Sequence, residues 1–93
     1  MAQENINEKD LPILLVEALT HAKKRVATAE SCTGGMISAA ITSVSGASAV
    51  FDCGVCSYAN FIKHKVVGVR DETLSTYGAV SDKTAAEMAR GIR

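Results

Sequence analysis

The chain has 93 residues, 47% of them hydrophobic and 4% aromatic, and its ten basic and ten acidic side chains give a formal net charge of zero. This hydrophobic content is enough for one folded domain or part of one, and it argues against a disordered tail. The neutral charge and the few aromatic rings argue against a nucleic-acid-binding protein, which would need a basic excess for phosphates and rings on which bases stack.

The apolar runs, the N-terminal residues and the cysteines indicate the cellular compartment of the protein. No apolar run approaches the roughly 20 residues of a membrane-spanning helix, so we expect no contact with a membrane. Residues 1–10 form a polar tail with three acidic side chains, unlike a signal peptide. Three cysteines are an odd number without the spacing of a disulfide scaffold. We therefore expect a cytoplasmic protein with reduced thiols.

The first part of the chain predicts a helix, a strand, a loop and a second helix. Asp10 is expected to cap the first helix, with Pro12 in its first turn, and the basic run 23–25 suits the negative end of that helix. Residues 26–29 form a strand-like run. After a loop of small residues, apolar side chains recur at helical spacing until Gly46, the predicted end of the second helix.

The second part continues this alternation. A strand is predicted over 50–58, and three helices follow, with Asn60, Asp71 and Ser81 as their N-caps and Gly78 as the end of the middle one. Such alternation predicts an α/β fold with a largely parallel sheet. Only two or three strands are present, and the last helical pattern runs to the end of the chain without a cap. We therefore expect the chain to stop within a fold.

Cys53 and Cys56 form a C-x-x-C pair, but their setting favours structural cysteines. Because both lie in a predicted strand, three positions apart, their sulfur atoms should point to opposite faces of the sheet. A zinc site would need further ligands, and Cys32, His21 and His64 do not stand at a recognisable spacing. The sequence thus predicts no metal site.

The loop between the first strand and the second helix carries the clearest potential for chemistry. Its small residues, 28–35, let a ligand approach the backbone, and free N–H groups at a helix start favour an anion. The hydroxyls of Ser31 and Thr33 could act as nucleophile, phosphate ligand or helix cap, and their residue types leave these roles open. The loop lacks both the G-K-[ST] of a Walker A motif and the G-x-G-x-x-G pattern.

A serine nucleophile needs a base, for which a lysine is better placed than either histidine. His21 lies in a basic helix end, and His64 lies on a mixed face. Lys63 follows the second strand, and the ends of parallel strands gather at one edge of a sheet, so Ser31 and Lys63 could meet there. Lysine acts as a base where burial or a nearby cation favours its neutral amine. The five-residue spacing from Tyr58 and the missing glycine fingerprint exclude the tyrosine–lysine pair of short-chain dehydrogenases.

A series of short motifs resembles one protein family. They are ATAESCTGG at 27–35, GAS at 46–48, SYAN at 57–60, Lys63, VGV at 67–69, YGAVS at 77–81 and EMA at 87–89. In this order and spacing they closely resemble the C-terminal domain of the competence/damage-inducible protein CinA, and AESCTGG is highly specific. The resemblance covers residues 11–93. It implies an α/β fold, a three-layer α/β/α sandwich with a largely parallel sheet.

The resemblance also implies an activity. Stand-alone members of the family are nicotinamide-nucleotide amidases, which hydrolyse nicotinamide mononucleotide to nicotinate mononucleotide and ammonia in pyridine-nucleotide salvage. It implies a serine/lysine hydrolase that needs no metal and no cofactor. We accordingly expect a pyridine mononucleotide as the small-molecule partner and a homo-oligomeric protein.

Family positions assign roles to individual residues. Ser31 would be the nucleophile and Lys63 the base, while Tyr58 and Ser48 would orient groups or relay protons. Substrate-binding positions carried over from the family are Thr33, Gly34, Gly35 and Asn60. The first three would donate hydrogen bonds to the substrate or the oxyanion from main-chain N–H groups and the threonine hydroxyl.

The sequence departs from the family in length. The family domain continues beyond the equivalent of Arg93, through a glycine-rich loop containing Gly-Ile-Ala-Gly-Pro and a later valine-rich strand. We therefore expect residues 11–93 to be the N-terminal portion of that domain, with part of the pocket outside the chain. The alternative to an active amidase is a non-catalytic nucleotide-binding or assembly module of a CinA-like protein.

Overall fold

The computed structural model describes residues 7–93 of the chain. Helices and strands alternate there as predicted: α1 (Leu11–Ala22), β1 (Val26–Glu30), α2 (Met36–Thr42), β2 (Phe51–Cys56), α3 (Asn60–Val67), α4 (Asp71–Tyr77) and α5 (Asp82–Ile92). Two short 3-10 turns, Glu8–Asp10 and Ala47–Ala49, precede α1 and β2. Most of the predicted polar tail lies outside the described residues, and its last three residues are the first of these turns.

The two strands form a parallel sheet. Ala29 stands opposite Val55, and Glu30 opposite Cys56. One more hydrogen bond extends the pairing at the carboxyl end, where the main-chain N–H of Ser57 donates to the oxygen of Glu30 at 2.8 Å. The prediction of an α/β fold with a parallel sheet is thus confirmed, with two strands in the described part of the chain.

Helices cover both faces of this sheet. Thr28 points to α2, where its hydroxyl lies 2.7 Å from that of Ser38. The next residue, Ala29, points the other way, since successive side chains of a strand alternate between faces. It packs against a buried cluster whose other members come from β2 and the chain after it: Val55, Val67, Val69, Leu74, Met88 and Ile92. A second cluster joins α1, α2 and the start of β2: Val16, Leu19, Ile41, Val44, Ala47, Val50 and Phe51.

The predicted end of α2 was wrong by three residues, since Gly46 was expected to follow directly after the last helical residue, Ser45. The helix ends at Thr42, and Gly46 instead begins the 3-10 turn before β2, with a φ of 91°. Hydroxyl side chains explain the early end, because they compete for carbonyls of the last turn. Thr42 donates to the oxygen of Ser38 at 2.9 Å, and Ser43 donates to that of Ala40 at 2.8 Å.

Of the predicted helix caps, only Ser81 and Gly78 are confirmed. Ser81 accepts a hydrogen bond from the N–H of Thr84, and Gly78 ends α4 with a φ of 82°. Asp10 makes no side-chain capping bond because it already lies in a 3-10 turn. Asn60 and Asp71 are the first residues of their helices, one position too far along to act as caps. Within residues 7–93, no helix is long and apolar enough to cross a membrane.

Candidate active site

The topology brings the ends of both strands to one edge of the sheet. Ser31 directly follows β1, while Ser57 and Tyr58 directly follow β2. The hydrogen bond from Ser57 to Glu30 keeps the two chains side by side as they leave the sheet. Lys63 reaches the same edge from α3, since its Nζ atom lies 3.0 Å from the main-chain oxygen of Tyr58.

Lys63 is a buried lysine with a fixed amine. Only 2% of the residue is exposed. Its Nζ donates to the oxygen of Tyr58 and, at 3.4 Å, to Oδ1 of Asn60, which lies one turn earlier on α3. These two acceptors, one just before α3 and one in its first turn, hold the amine in one position. A fixed amine at this edge of the sheet could exchange a proton with a group placed beside it.

The loop after Ser31 presents several free main-chain donors. The N–H of Gly34 donates to the oxygen of Ser31 at 3.0 Å, which tightens the turn. Gly34 and Gly35 adopt φ values of 61° and 98°, a left-handed region that favours glycine. In the described part of the chain, the N–H groups of Cys32, Thr33 and Gly35 have no acceptor. They are therefore available to a carbonyl or carboxylate oxygen of a ligand.

Glu30 holds this loop, and the sequence analysis did not identify it. Its side chain is buried, with 3% of the residue exposed. One carboxylate oxygen accepts from the hydroxyl of Thr33 and the N–H of Ile37, both at 2.8 Å. The other accepts from the N–H of Ser38 at 2.9 Å and from its hydroxyl at 2.8 Å. The signal available in the sequence was an acidic residue directly before a loop that starts a helix.

These bonds keep Glu30 ionised. Burial on its own raises the pKa of the carboxyl, but the main-chain N–H groups of Ile37 and Ser38, together with the hydroxyls of Thr33 and Ser38, outweigh it and lower the pKa to about 2. Hydrogen bonds to the charged form produce such a shift. A permanent negative charge therefore lies at the start of α2, where the helix dipole favours it.

The bond to Glu30 changes the role expected of Thr33. Its hydroxyl hydrogen points to the carboxylate, so that hydrogen is not available to a substrate or an oxyanion. The predicted hydroxyl donation by Thr33 therefore does not agree with this geometry. Its main-chain N–H is free, as are those of Cys32 and Gly35, and donation from the backbone remains open to all three.

A glycine in β2 leaves the space that this network needs. A Cβ atom on Gly54 would overlap the hydroxyl oxygens of Ser38 and Thr28. The same two hydroxyls are hydrogen-bonded to each other, and Ser38 bonds Glu30 on its other side. Gly54 thus makes room beneath α2 for the polar group that fixes the Ser31 loop.

The three cysteines have no disulfide partner in residues 7–93. Cys53 and Cys56 both lie in β2, which confirms the predicted strand, and all three thiols are free and exposed. No group of three or more histidine, cysteine or acidic side chains is placed to hold a metal ion in this part of the chain.

Comparison with known protein families gives a match over most of the chain. The sequence profile of the CinA C-terminal domain matches residues 8–93. The chain belongs to the CinA C-terminal domain family. It is 50% identical over 84 residues, 90% of its length, to a CinA-like protein of Anaeromyxobacter sp..

Solved structures of the CinA superfamily share the fold. The competence/damage inducible protein CihA from Agrobacterium tumefaciens is 45% identical and matches 90% of this chain with a TM-score of 0.87. A competence or damage-inducible protein from Enterobacter asburiae is 38% identical and matches 96% of the chain with a TM-score of 0.91. The chain spans 51% and 56% of these two proteins, and 21% of the relative from Anaeromyxobacter.

Of the other residues that the family resemblance assigned to the site, Tyr58 and Asn60 lie beside Lys63, and Ser48 lies elsewhere. Tyr58 contacts Lys63 through its main-chain oxygen, while 75% of the residue is exposed. Asn60 is exposed, and its Oδ1 atom accepts from the lysine amine. Ser48 lies in the turn before β2, at the opposite end of the strands from Ser31, roughly 20 Å away for a six-residue strand. This placement does not support the orienting role predicted for Ser48 in the same site.

Proposed function

We propose that the protein is a nicotinamide-nucleotide amidase that hydrolyses nicotinamide mononucleotide to nicotinate mononucleotide and ammonia. The main support is the position of Ser31 and of the buried amine of Lys63 at one edge of the parallel sheet, beside free main-chain donors. Membership of the CinA family is consistent with it. The substrate and the activity of the whole protein are part of this proposal.

In the first step, the hydroxyl oxygen of Ser31 attacks the carboxamide carbon. The Nζ atom of Lys63 takes the hydroxyl proton, and its hydrogen bonds to Tyr58 and Asn60 hold it at the edge of the sheet where the chain leaves β1 at Ser31. A bond forms between the serine oxygen and the carbon, and the carbonyl electrons move to its oxygen.

The oxyanion needs donors that are in place before the reaction. The main-chain N–H groups of Cys32 and Thr33 follow the nucleophile and have no acceptor within residues 7–93. Removal of one such donor from a hydrolase typically lowers kcat by about 100-fold to 1000-fold. The loop geometry therefore supports acyl transfer better than a purely structural helix start.

The second half of the reaction returns the proton. Protonated Lys63 delivers it to the leaving nitrogen, the carbon–nitrogen bond breaks and ammonia departs. Water then attacks the serine ester, again with Lys63 as the base. As the bond from the Ser31 oxygen to the carbon breaks, Lys63 gives the water proton to that oxygen, and nicotinate mononucleotide and the free enzyme are released.

Ammonia release from nicotinamide mononucleotide tests this proposal directly. The protein as encoded in its genome is assayed beside Ser31→Ala and Lys63→Ala, each of which should abolish turnover. Ser45→Ala and Lys65→Ala are matched controls, because both residues are exposed and should leave turnover unchanged. Undiminished turnover in either site variant would remove that residue from the mechanism. Nucleotide binding by calorimetry without ammonia release would instead favour the binding-module alternative.

A further inference from the structure

A buried carboxylate lies one residue before the proposed nucleophile, and the mechanism above does not use it. We propose that Glu30 is a positioning residue, whose carboxylate holds the loop 31–35 so that its free N–H groups face the reacting carbonyl. This inference rests on the proposed amidase function and adds a residue to it.

The hydrogen bonds of the Glu30 side chain connect the start of the loop 31–35 to its end. The residue directly precedes Ser31 in the chain, and its side chain reaches back to Thr33 within the loop and to Ile37 and Ser38 in the first turn of α2. Both ends of the loop are thus tied to one carboxylate group. Movement of the loop would have to break at least one of these bonds.

The negative charge is needed for this set of bonds. A carboxylate has about four lone-pair sites, and four donors fill them here. Bonds to a charged acceptor are also roughly twice as strong as bonds between neutral groups. A glutamine in place of Glu30 would direct its own NH₂ hydrogens at N–H donors, so part of the loop anchor would be lost with almost no change in volume.

The same chain offers a matched control. Glu87 on α5 is mostly buried, with 12% of its side chain exposed, and it accepts from the N–H of Arg70 at 2.9 Å and the hydroxyl of Thr73 at 2.6 Å. These are the same kinds of bond that Glu30 accepts, but the partners lie in or beside α4. Glu87→Gln should therefore weaken the fold without disturbing the Ser31 loop.

The test compares Glu30→Gln with Glu87→Gln in the protein as encoded. Both variants are assayed for kcat and KM with nicotinamide mononucleotide, at a temperature well below their unfolding midpoints. We expect Glu30→Gln to lower kcat by about 10-fold or more with KM changed by less than about threefold, because displaced donors affect the transition state more than substrate binding. Glu87→Gln should lower the unfolding midpoint and leave kcat within about twofold of the original.

Two kinetic results would overturn the inference: an unchanged kcat in Glu30→Gln, or an equal loss of kcat in both variants. Absence of ammonia release from the unaltered protein would contradict the proposed function instead. The anchor is then tested by NMR, where the amide shifts of Cys32, Thr33 and Gly35 should move in Glu30→Gln and stay in place in Glu87→Gln. Unchanged shifts in Glu30→Gln would contradict the positioning role whatever the activity.

Discussion

The amine of Lys63 donates to the main-chain oxygen of Tyr58 across 3.0 Å, in a position with almost no exposed surface. The oxygen belongs to the second residue after β2, and the amine comes from the first turns of α3. This contact therefore fixes the amine at the carboxyl edge of the sheet, where the chain also leaves β1 at Ser31.

Replacement of this lysine by methionine should separate catalysis from folding. Lys63→Met keeps most of the buried side-chain volume but removes the amine. We expect ammonia release to be lost, while the free energy of unfolding in urea changes by no more than about 1–2 kcal/mol, the range for lost hydrogen bonds. Lys65→Met, at an exposed position of the same helix, is the control. Retained turnover in Lys63→Met would exclude the amine as the base.

The ionised Glu30 predicts a particular loss of stability in acid. Its pKa is about 2 in the folded protein against an ordinary 4.5. Because the folded pKa is the lower one, the stabilising effect is complete above pH 4.5 and is lost as the pH falls from 4.5 towards 2. We expect urea unfolding to show a steeper loss for the original protein than for Glu30→Gln in this window. If the free energy of unfolding fell equally with pH in the two proteins, the lowered pKa of Glu30 would be contradicted.

Two fully buried hydroxyls should respond in opposite ways to removal. The Oγ atom of Ser57 has no hydrogen-bond partner in the described chain, whereas Thr84 donates to the oxygen of Gly78 at 2.7 Å. An unpaired buried hydroxyl contributes only its desolvation cost. Ser57→Ala should therefore leave stability unchanged or raise it by up to about 1 kcal/mol, and Thr84→Val should lower it by about 1 kcal/mol or more. A clear loss of stability in Ser57→Ala would show that its hydroxyl has a partner.

The close packing around Gly54 predicts that Gly54→Ala, which adds a single methyl group, lowers the stability of the protein. Alanine normally suits a strand better than glycine does. At this position its Cβ would overlap the hydroxyls of Thr28 and Ser38, and overpacking typically costs about 1–3 kcal/mol. We expect lower stability in urea and, since Ser38 supports Glu30, slower ammonia release. Cys53→Ala, at the exposed neighbouring position, should have little effect on either. Equal behaviour of the two variants would contradict this packing.

Much of the fold could be predicted because it depends on local patterns. Helical spacing of apolar residues predicted α1 and α5. Ser81 marks the start of α5 and Gly78 the end of α4, through a bond and a φ angle that involve only nearby residues. The caps expected of Asn60 and Asp71 were wrong because a shift of one residue decides whether a side chain reaches a free N–H. The family motifs indicated Ser31 and Lys63 by residue type and spacing, and the catalytic roles of these two residues stay a prediction.

The sequence by itself determined the family, the alternation of helices and strands, and the residue types suited to acyl transfer. Only the tertiary structure decided which of them lie together. Parallel pairing of β1 and β2 brings Ser31 and Lys63 to one edge and leaves Ser48 at the other, because strand direction fixes the end at which each following residue emerges. Four converging donors outweigh burial, keep Glu30 charged and tie it to the loop, and such convergence depends on positions that sequence spacing does not specify.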